Sequence, residues 1–419
     1  MKRAVALVAL ALLVSPAAAS AHATLLRTSP ANGDVLATSP RLVRVVFDDT
    51  VRRTSGNEAI DNATRKSVLA ARPSIEGDAL LIPLRQHLAD GDYSVRWSVV
   101  SDDGHREEGV LAFAVGAGRS APRSVLGAST PLGWNDILLR TLYYFGLLCG
   151  AGTCAFVLLS RRILGRRSTR VVSHVLFSSA LAVFLGGSAI IHSAPPGTRF
   201  ALVLKVVVTL ALVTGAAAAL APMYERLLLV AAAGSVAMLA GPTLSGHALD
   251  RDQPVLLSVP TDLAHIAGSA VWLGGLVSLV VVLPRATADD AERRAVVRRF
   301  STVAFISVVV LAVSGLLRAL TELGSVSQIW SSGYGRALIV KTALFFPLLG
   351  IGWLNRTMLL GAFARLRRSA IVEVTLILGI VVAVAVLTEL RPGTAASRVA
   401  EARAPLQAAG PATLPPRDA

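Results

Sequence analysis

The residues best suited to chemistry lie at the start of the chain and in a short acidic turn well downstream. Met1 to Ala21 reads as a secretory signal, with Lys2 and Arg3 as the basic n-region, Ala4 to Val14 as the apolar core and Ala19-Ser20-Ala21 as the small-residue cleavage site. Cleavage there makes His22 the N-terminal residue. An N-terminal histidine offers its α-amine and its imidazole to one metal ion as a chelate, and both are borderline nitrogen donors that suit Cu(II). The second group of donors is Ser101-Asp102-Asp103-Gly104-His105. Alternation over Val95 to Val100 predicts a strand, with Val95, Trp97 and Val99 on one face and Arg96 and Ser98 on the other. In extended form Asp103 and His105, two residues apart, project to the same side. One amine, two imidazoles and a carboxylate make a tetragonal set that favours Cu(II) over the tetrahedral demands of zinc. Taken singly, Asp103-Gly104-His105 is equally compatible with an ordinary turn bearing a solvated histidine. His87, ahead of the Asp90-Gly91-Asp92 turn, reads as a surface residue.

The elements that must position these donors fall into two unlike parts. The chain has 419 residues, 53% of them hydrophobic and 16% charged, which is too apolar for a soluble protein and indicates a membrane class. The apolar residues concentrate after Trp134 in eight predicted spans: Ile137 to Leu159, Val171 to Ile191, Ala201 to Ala221, Leu227 to Leu244, Leu263 to Leu283, Phe300 to Leu320, Ala337 to Leu354 and Ile371 to Leu390. Each approaches the roughly 20 residues needed to cross a bilayer. With the N-terminal domain sent outside by the signal, arginine falls on alternate loops as the positive-inside rule requires. Arg161, Arg162, Arg166, Arg167 and Arg170 lie in the first inner loop, Arg226 in the next, then Arg285, Arg293, Arg294, Arg298 and Arg299, then Arg356, Arg365, Arg367 and Arg368; the outer loops hold Arg199, Arg251 and Arg336. The formal charge of +15 is thereby assigned to topology and anionic lipid, with no nucleic-acid partner. The expected layout is a signal peptide at 1–21, an all-β domain at 22–116, a flexible Ala/Gly/Ser/Pro-rich linker at 117–133, an all-α polytopic membrane domain at 134–392 and a disordered tail at 393–419. The expected location is the bacterial cytoplasmic membrane, with the β domain on the periplasmic or extracellular side.

Within that layout the motifs carry two resemblances. His22-Ala23-x-Leu25, Ser29-Pro30-Ala31-x-Gly33, Pro40 with Leu42 to Phe47, Gly91-x-Tyr93-x-Val95-x-Trp97 leading to Asp103-Gly104-His105, and Gly109-x-x-x-Phe113-x-Val115 together resemble the copper protein CopC. This implies a small cupredoxin-like β-sandwich or barrel with Cu(II) held at His22, Asp103 and His105. Some CopC proteins add a methionine-rich Cu(I) site; here no methionine lies between His22 and Gly116, so soft thioether ligands are absent from this domain. The second resemblance is to the copper membrane protein CopD, over Trp134 to Pro392. It rests on Ser245-Gly246-His247-Ala248, Asp262-Leu263-x-His265, Trp272-x-Gly274-Gly275-Leu276, Arg299-Phe300-Ser301, Tyr334-Gly335-Arg336 with Leu338 and Lys341, Asn355-Arg356 and Glu373. The whole chain is similar to CopC–CopD fusions.

The predicted topology sends His192, His247 and His265 to the outer third of the bundle, where ionisable groups usually line a cavity or pathway. These three, with Asp262 to orient an imidazole or serve as ligand, are the expected entry to a membrane copper path, although interfacial histidines among headgroups fit the sequence too. His174 reads as an interfacial residue on the inner side. Met238, Cys149 and Cys154 are the soft donors within the spans should copper cross as Cu(I); the cysteines, five apart on one helix, point to packing rather than a disulfide. No Gly-x-x-x-x-Gly-Lys-Ser/Thr loop and no Asp-Lys-Thr-Gly sequence occurs, which argues against an ATP-driven pump. The expected function is therefore capture of Cu(II) outside and handover to the membrane domain for transport, in the sense of import, without enzymatic activity. A copper donor outside and an acceptor in the cytoplasm are the partners this implies. A copper sensor or store, a His-brace oxidase and a haem- or copper-linked redox protein are the alternatives.

Overall fold

The computed structural model describes residues 25–48, 50–54, 56–101, 106–126, 134–161, 166–193, 197–246, 255–287, 289–323, 325–359 and 363–388. The signal at 1–21, the tail at 393–419 and the predicted ligands His22, Asp103, His105 and His247 lie outside the described residues.

The first domain is a two-sheet sandwich. One sheet runs in the order β1 (Leu25–Ser29), β3 (Leu42–Phe47), β7 (Ala79–Pro83), β6 (Ser74–Glu76). The other runs β2 (Val35–Leu36), β9 (Arg106–Val115), β8 (Gly91–Ser101), β4 (Val51–Arg53), and β5 (Glu58–Asp61) pairs with β8 beside β4. Alternation decides what is inside: Val43, Val45 and Phe47 from one sheet meet Val95, Trp97, Val99, Leu111 and Phe113 from the other, all buried. The Phe47 and Trp97 rings pack edge to face, 5.4 Å between centroids. Gly109 lies directly opposite Trp97 across the β8–β9 ladder, and a Cβ there would sit 2.5 Å from the indole. A side chain at 109 would evict the central ring of the core.

The predicted inward face of β8 is as expected, but the other face is not open to solvent: Ser94 and Ser98 are fully buried. Asn57 covers Ser98, accepting from its amide at 2.8 Å and donating to its carbonyl at 2.9 Å. Ser94 is covered by the segment expected to be a free linker. Its Oγ donates to Asn62 Oδ1 at 2.6 Å and accepts from the Val125 amide at 3.0 Å, while Arg119 pairs with Asp92 at 2.8 Å. Chain beyond Gly116 therefore straps back along the β5–β8 face as far as Leu126. The short path from there to Trp134 reaches at most ~29 Å fully extended.

Eight helices among the described residues are long and apolar enough to cross a membrane. They are α1 (Trp134–Ser160), α2 (Arg166–Ser193), α3 (Arg199–Leu220), α4 (Leu227–Ala237) continued by α5 (Ala240–Ser245), α6 (Val255–Val281), α8 (Asp290–Glu322), α10 (Gly333–Leu354) and α11 (Phe363–Leu387). Short α7 (Leu283–Ala286) and α9 (Gln328–Ser331) lie between them. The expected count of eight holds, but several ends shift. α8 begins ten residues before the predicted apolar stretch because Asp289 caps it, accepting from the Ala291 amide at 2.7 Å, with Asp290 and Glu292 in the first turn. α11 likewise starts at Phe363, carrying its arginines on helix ahead of the apolar run. α1 is central, packing on α2, α6 and α11. Backbones meet where α1 crosses α6: a Cβ on Gly274 would come within 2.6 Å of the Gly152 Cα. Cys149 and Cys154 are free and buried, as packing residues should be.

Candidate metal-handling site

Strand register locates the described residues that flank the predicted ligands in sequence. Leu25, the first residue of β1, pairs with Phe47, the last of β3. β4 follows in sequence, and its first residue Val51 pairs with Ser101, the last of β8. Leu25 and Ser101, the described residues that adjoin the predicted ligands in sequence, therefore lie toward one end of the sandwich.

That end faces the helical domain. Arg52, between Val51 and Arg53 on β4, donates from its guanidinium to the Gly197 carbonyl at 2.8 Å, in the connection from α2 to α3. Gly197 has φ +85°, and a Cβ there would press on the guanidinium at 3.0 Å, so both backbone shape and space favour glycine. Thr198 caps α3, accepting from the Ala201 amide at 3.1 Å. Arg199 then reaches the Gly246 carbonyl, 3.3 Å away, immediately before His247.

Beneath this contact the helical domain holds a polar network drawn from several helices. Thr243 on α5 donates to Asp262 Oδ2 at 2.7 Å, and Asp262 Oδ1 pairs with Arg318 on α8 at 3.3 Å. One turn along α6, His265 Nδ1 meets the Ser314 hydroxyl at 2.9 Å. Arg318 and Lys341 of α10 both lie within electrostatic range of His265, and Lys341 within range of Asp262. Two cations beside one carboxylate leave the cluster net positive while the imidazole is neutral. A cation ligated by Asp262 would have to compete with Arg318 for it.

The predicted residues thus separate. Asp262 and His265 lie one turn apart on α6 within one network, Asp262 already engaged. His192 stands apart, exposed at the end of α2, its Nδ1 2.9 Å from the Ser188 carbonyl of its own helix. His174 is likewise exposed, with Nδ1 2.6 Å from the Arg170 carbonyl. Among the described residues no group of three or more His, Cys, Asp or Glu side chains could hold a metal ion. Arg318, Thr243, Ser314, Arg52 and Gly197 were missed in sequence. Arg318 alone had a signal, as a charge inside a predicted apolar span; the others depend on contacts between distant segments.

Fold and placement together define a polytopic membrane protein that carries a β-sandwich against the ends of its helices. The CopC domain family matches residues 25–116, and the family described as Copper resistance protein D matches residues 294–387. The copper transport protein CutJ of Bacillus subtilis is 24% identical over 372 residues, 81% of this chain and 69% of that one. Copper resistance protein D of Pseudomonas syringae pv. tomato is 30% identical over 210 residues, 46% of this chain and 66% of its own length. The solved structure of CopC from Methylosinus trichosporium OB3b shares 31% identity, covering 24% of this chain and 98% of that one, with a TM-score of 0.21. One polypeptide thus carries a CopC domain at residues 25–116 and a Copper resistance protein D domain at residues 294–387.

Proposed function

We propose that this protein captures Cu(II) on the outer side of the cytoplasmic membrane and hands it to the helical domain for import, as part of copper homeostasis or resistance. The β domain binds the ion through the His22 amine and imidazole, Asp103 and His105. The handover runs past Arg52 and Gly197 to His247, and then to Asp262 and His265, with His192 at the rim. Cu(I) is the form suited to the buried thiols and Met238 further in. The observation that supports this reading is the hydrogen bond from Arg52 of β4 to Gly197 in the α2–α3 connection, which joins the sandwich to the helical domain. The two copper-linked families in one chain support it, as does the name of CutJ. Movement inward follows the membrane potential, worth about 2.3 kcal/mol per unit charge per 100 mV.

Replacing His247 and His265 together tests it. Copper uptake into cells producing the inserted variant is expected to fall to background, while the domain at residues 22–116 keeps its Cu(II) affinity within the full chain. Wild-type uptake by a correctly inserted double variant would remove the entry role. Unchanged uptake with and without the protein would favour a sensor or store, and a Soret band in the purified protein would favour a haem carrier.

A further inference from the structure

At the end of the helical domain remote from the β domain, α10 leaves the α-helical path in a π turn, Asn355–Leu359. Single π turns at helix ends and within helices recur at functional sites. Asn355 is 7% exposed and Glu373 of α11 is 2% exposed. Asn355 Nδ2 donates to the Glu373 carboxylate, and the Trp272 side chain of α6 hydrogen-bonds the same group. With its nitrogen committed to Glu373, the Asn355 amide turns Oδ1 away, and that oxygen has no hydrogen-bond partner among the described residues. A buried acceptor without a donor is a standing cost unless something fills it. Both groups line a cleft of about 210 Å³ walled by Trp272, Phe300, Phe305 and Trp353. Phe305 and Trp353 are 48% and 65% exposed on apolar helices, so the mouth opens sideways toward lipid. Arg356, also at the cleft, is already engaged, donating to the Ser301 carbonyl at 3.0 Å and lying over the Phe305 ring.

The cleft suits a flat apolar body that brings a hydrogen-bond donor at one edge. We propose that it binds the ring of a bilayer-soluble quinol, seated between the aromatic walls, with one hydroxyl donating to Asn355 Oδ1. The surplus of acceptors makes the site selective for oxidation state. The reduced ring carries donors, whereas the quinone would set carbonyl oxygens against oxygens.

The test uses the full-length protein in nanodiscs of quinone-free phospholipid, titrated calorimetrically with decyl-benzoquinol and with decyl-benzoquinone. Saturable binding of the quinol is expected, with the quinone at least tenfold weaker. Gly352 lines the cleft, and a Cβ there meets nothing within 4 Å. Gly352→Leu should therefore fold normally, fill the cleft and abolish quinol binding, and Asn355→Leu should bind the two forms more nearly alike. Equal affinity of the wild-type protein for both forms, or undiminished quinol binding by Gly352→Leu, overturns the proposal. So does finding that the variant expels only co-purified phospholipid while neither protein binds the quinol.

Discussion

The buried serines of β8 are settled by neutral partners, Asn57 serving Ser98 and Asn62 serving Ser94, while the charged pairs Arg96–Glu58 and Arg119–Asp92 lie partly exposed. In the helical domain the comparable cluster is ionic, and Asp262, Arg318 and Lys341 come to it from three different helices. The contrast follows from the solvent each domain meets. Ligands on a strand end next to water can wait unpaired, because water solvates them at little cost. Ionisable groups inside a bilayer must find partners before any cargo arrives. In the proposed handover the sandwich would offer an open chelate, whereas Asp262 and His265 of the bundle are already bonded and must exchange.

The largest expected effect comes from breaking that ionic pairing on one side only. Asp262→Asn or Arg318→Gln alone leaves a partly buried charge short of its main partner, which costs up to about 3–5 kcal/mol. Either single variant should show a large fall in thermal stability and little inserted protein. The double variant removes both charges and should recover much of that loss, a coupling that a double-mutant cycle on purified protein measures directly. Additive losses would mean that the two side chains do not act as a pair. Copper uptake should remain impaired in the double variant despite its recovery, because the carboxylate is gone.

The opposite perturbation addresses the sandwich, where the open chelate depends on one covalent detail. A single residue left ahead of His22 replaces the terminal amine by an amide, which is not a comparable donor. Cu(II) affinity should fall by well over tenfold, or more than about 1.4 kcal/mol, with the thermal midpoint of the metal-free domain unchanged. An unaltered affinity would remove His22 from the site.

How much of this was legible in sequence differs between the halves for the same reason. The alternation of Val95, Trp97 and Val99 encodes their burial locally, and the apolar runs announce each span by length alone. The strap of residues 119–126 was hidden because its Ala-, Pro- and Ser-containing composition reads as linker. What holds it is a pair of hydrogen bonds to Asn62 and Ser94, which no local pattern specifies. The pairing of Asp262 with Arg318 was equally hidden, since it joins positions 56 apart in sequence across a helix–helix contact. Asp262 and His265 could be flagged as ionisable groups near a membrane, but the state of Asp262 as an engaged partner could not.

A smaller effect tests the contact between the halves. Arg52→Ala deletes one hydrogen bond from a solvent-exposed side chain to the Gly197 carbonyl, worth about 1 kcal/mol or roughly fivefold in the population of the docked arrangement. Cu(II) affinity should not change, and uptake at limiting copper should fall several-fold. A photo-crosslinking residue at position 52 should form its adduct on the α2–α3 connection. An adduct confined to lipid or to the sandwich itself would separate the domains and leave handover to free diffusion.

The smallest effect concerns what fixes the strap. Arg119 and Asp92 form an ion pair in which the side chains are 38% and 37% exposed. Solvent screens such a pair, so Arg119→Ala should cost no more than about 1 kcal/mol, less in high salt. Ser94 is different, because its hydroxyl is fully buried and joins the Val125 amide to Asn62. Ser94→Ala leaves the Asn62 oxygen and the Val125 amide, both on partly exposed residues, short of a partner, at up to about 1–3 kcal/mol. Amide exchange over residues 119–126 should accelerate strongly in Ser94→Ala and barely in Arg119→Ala. The reverse order would make the strap an electrostatic attachment, and would bring the sandwich closer in kind to the charged bundle it serves.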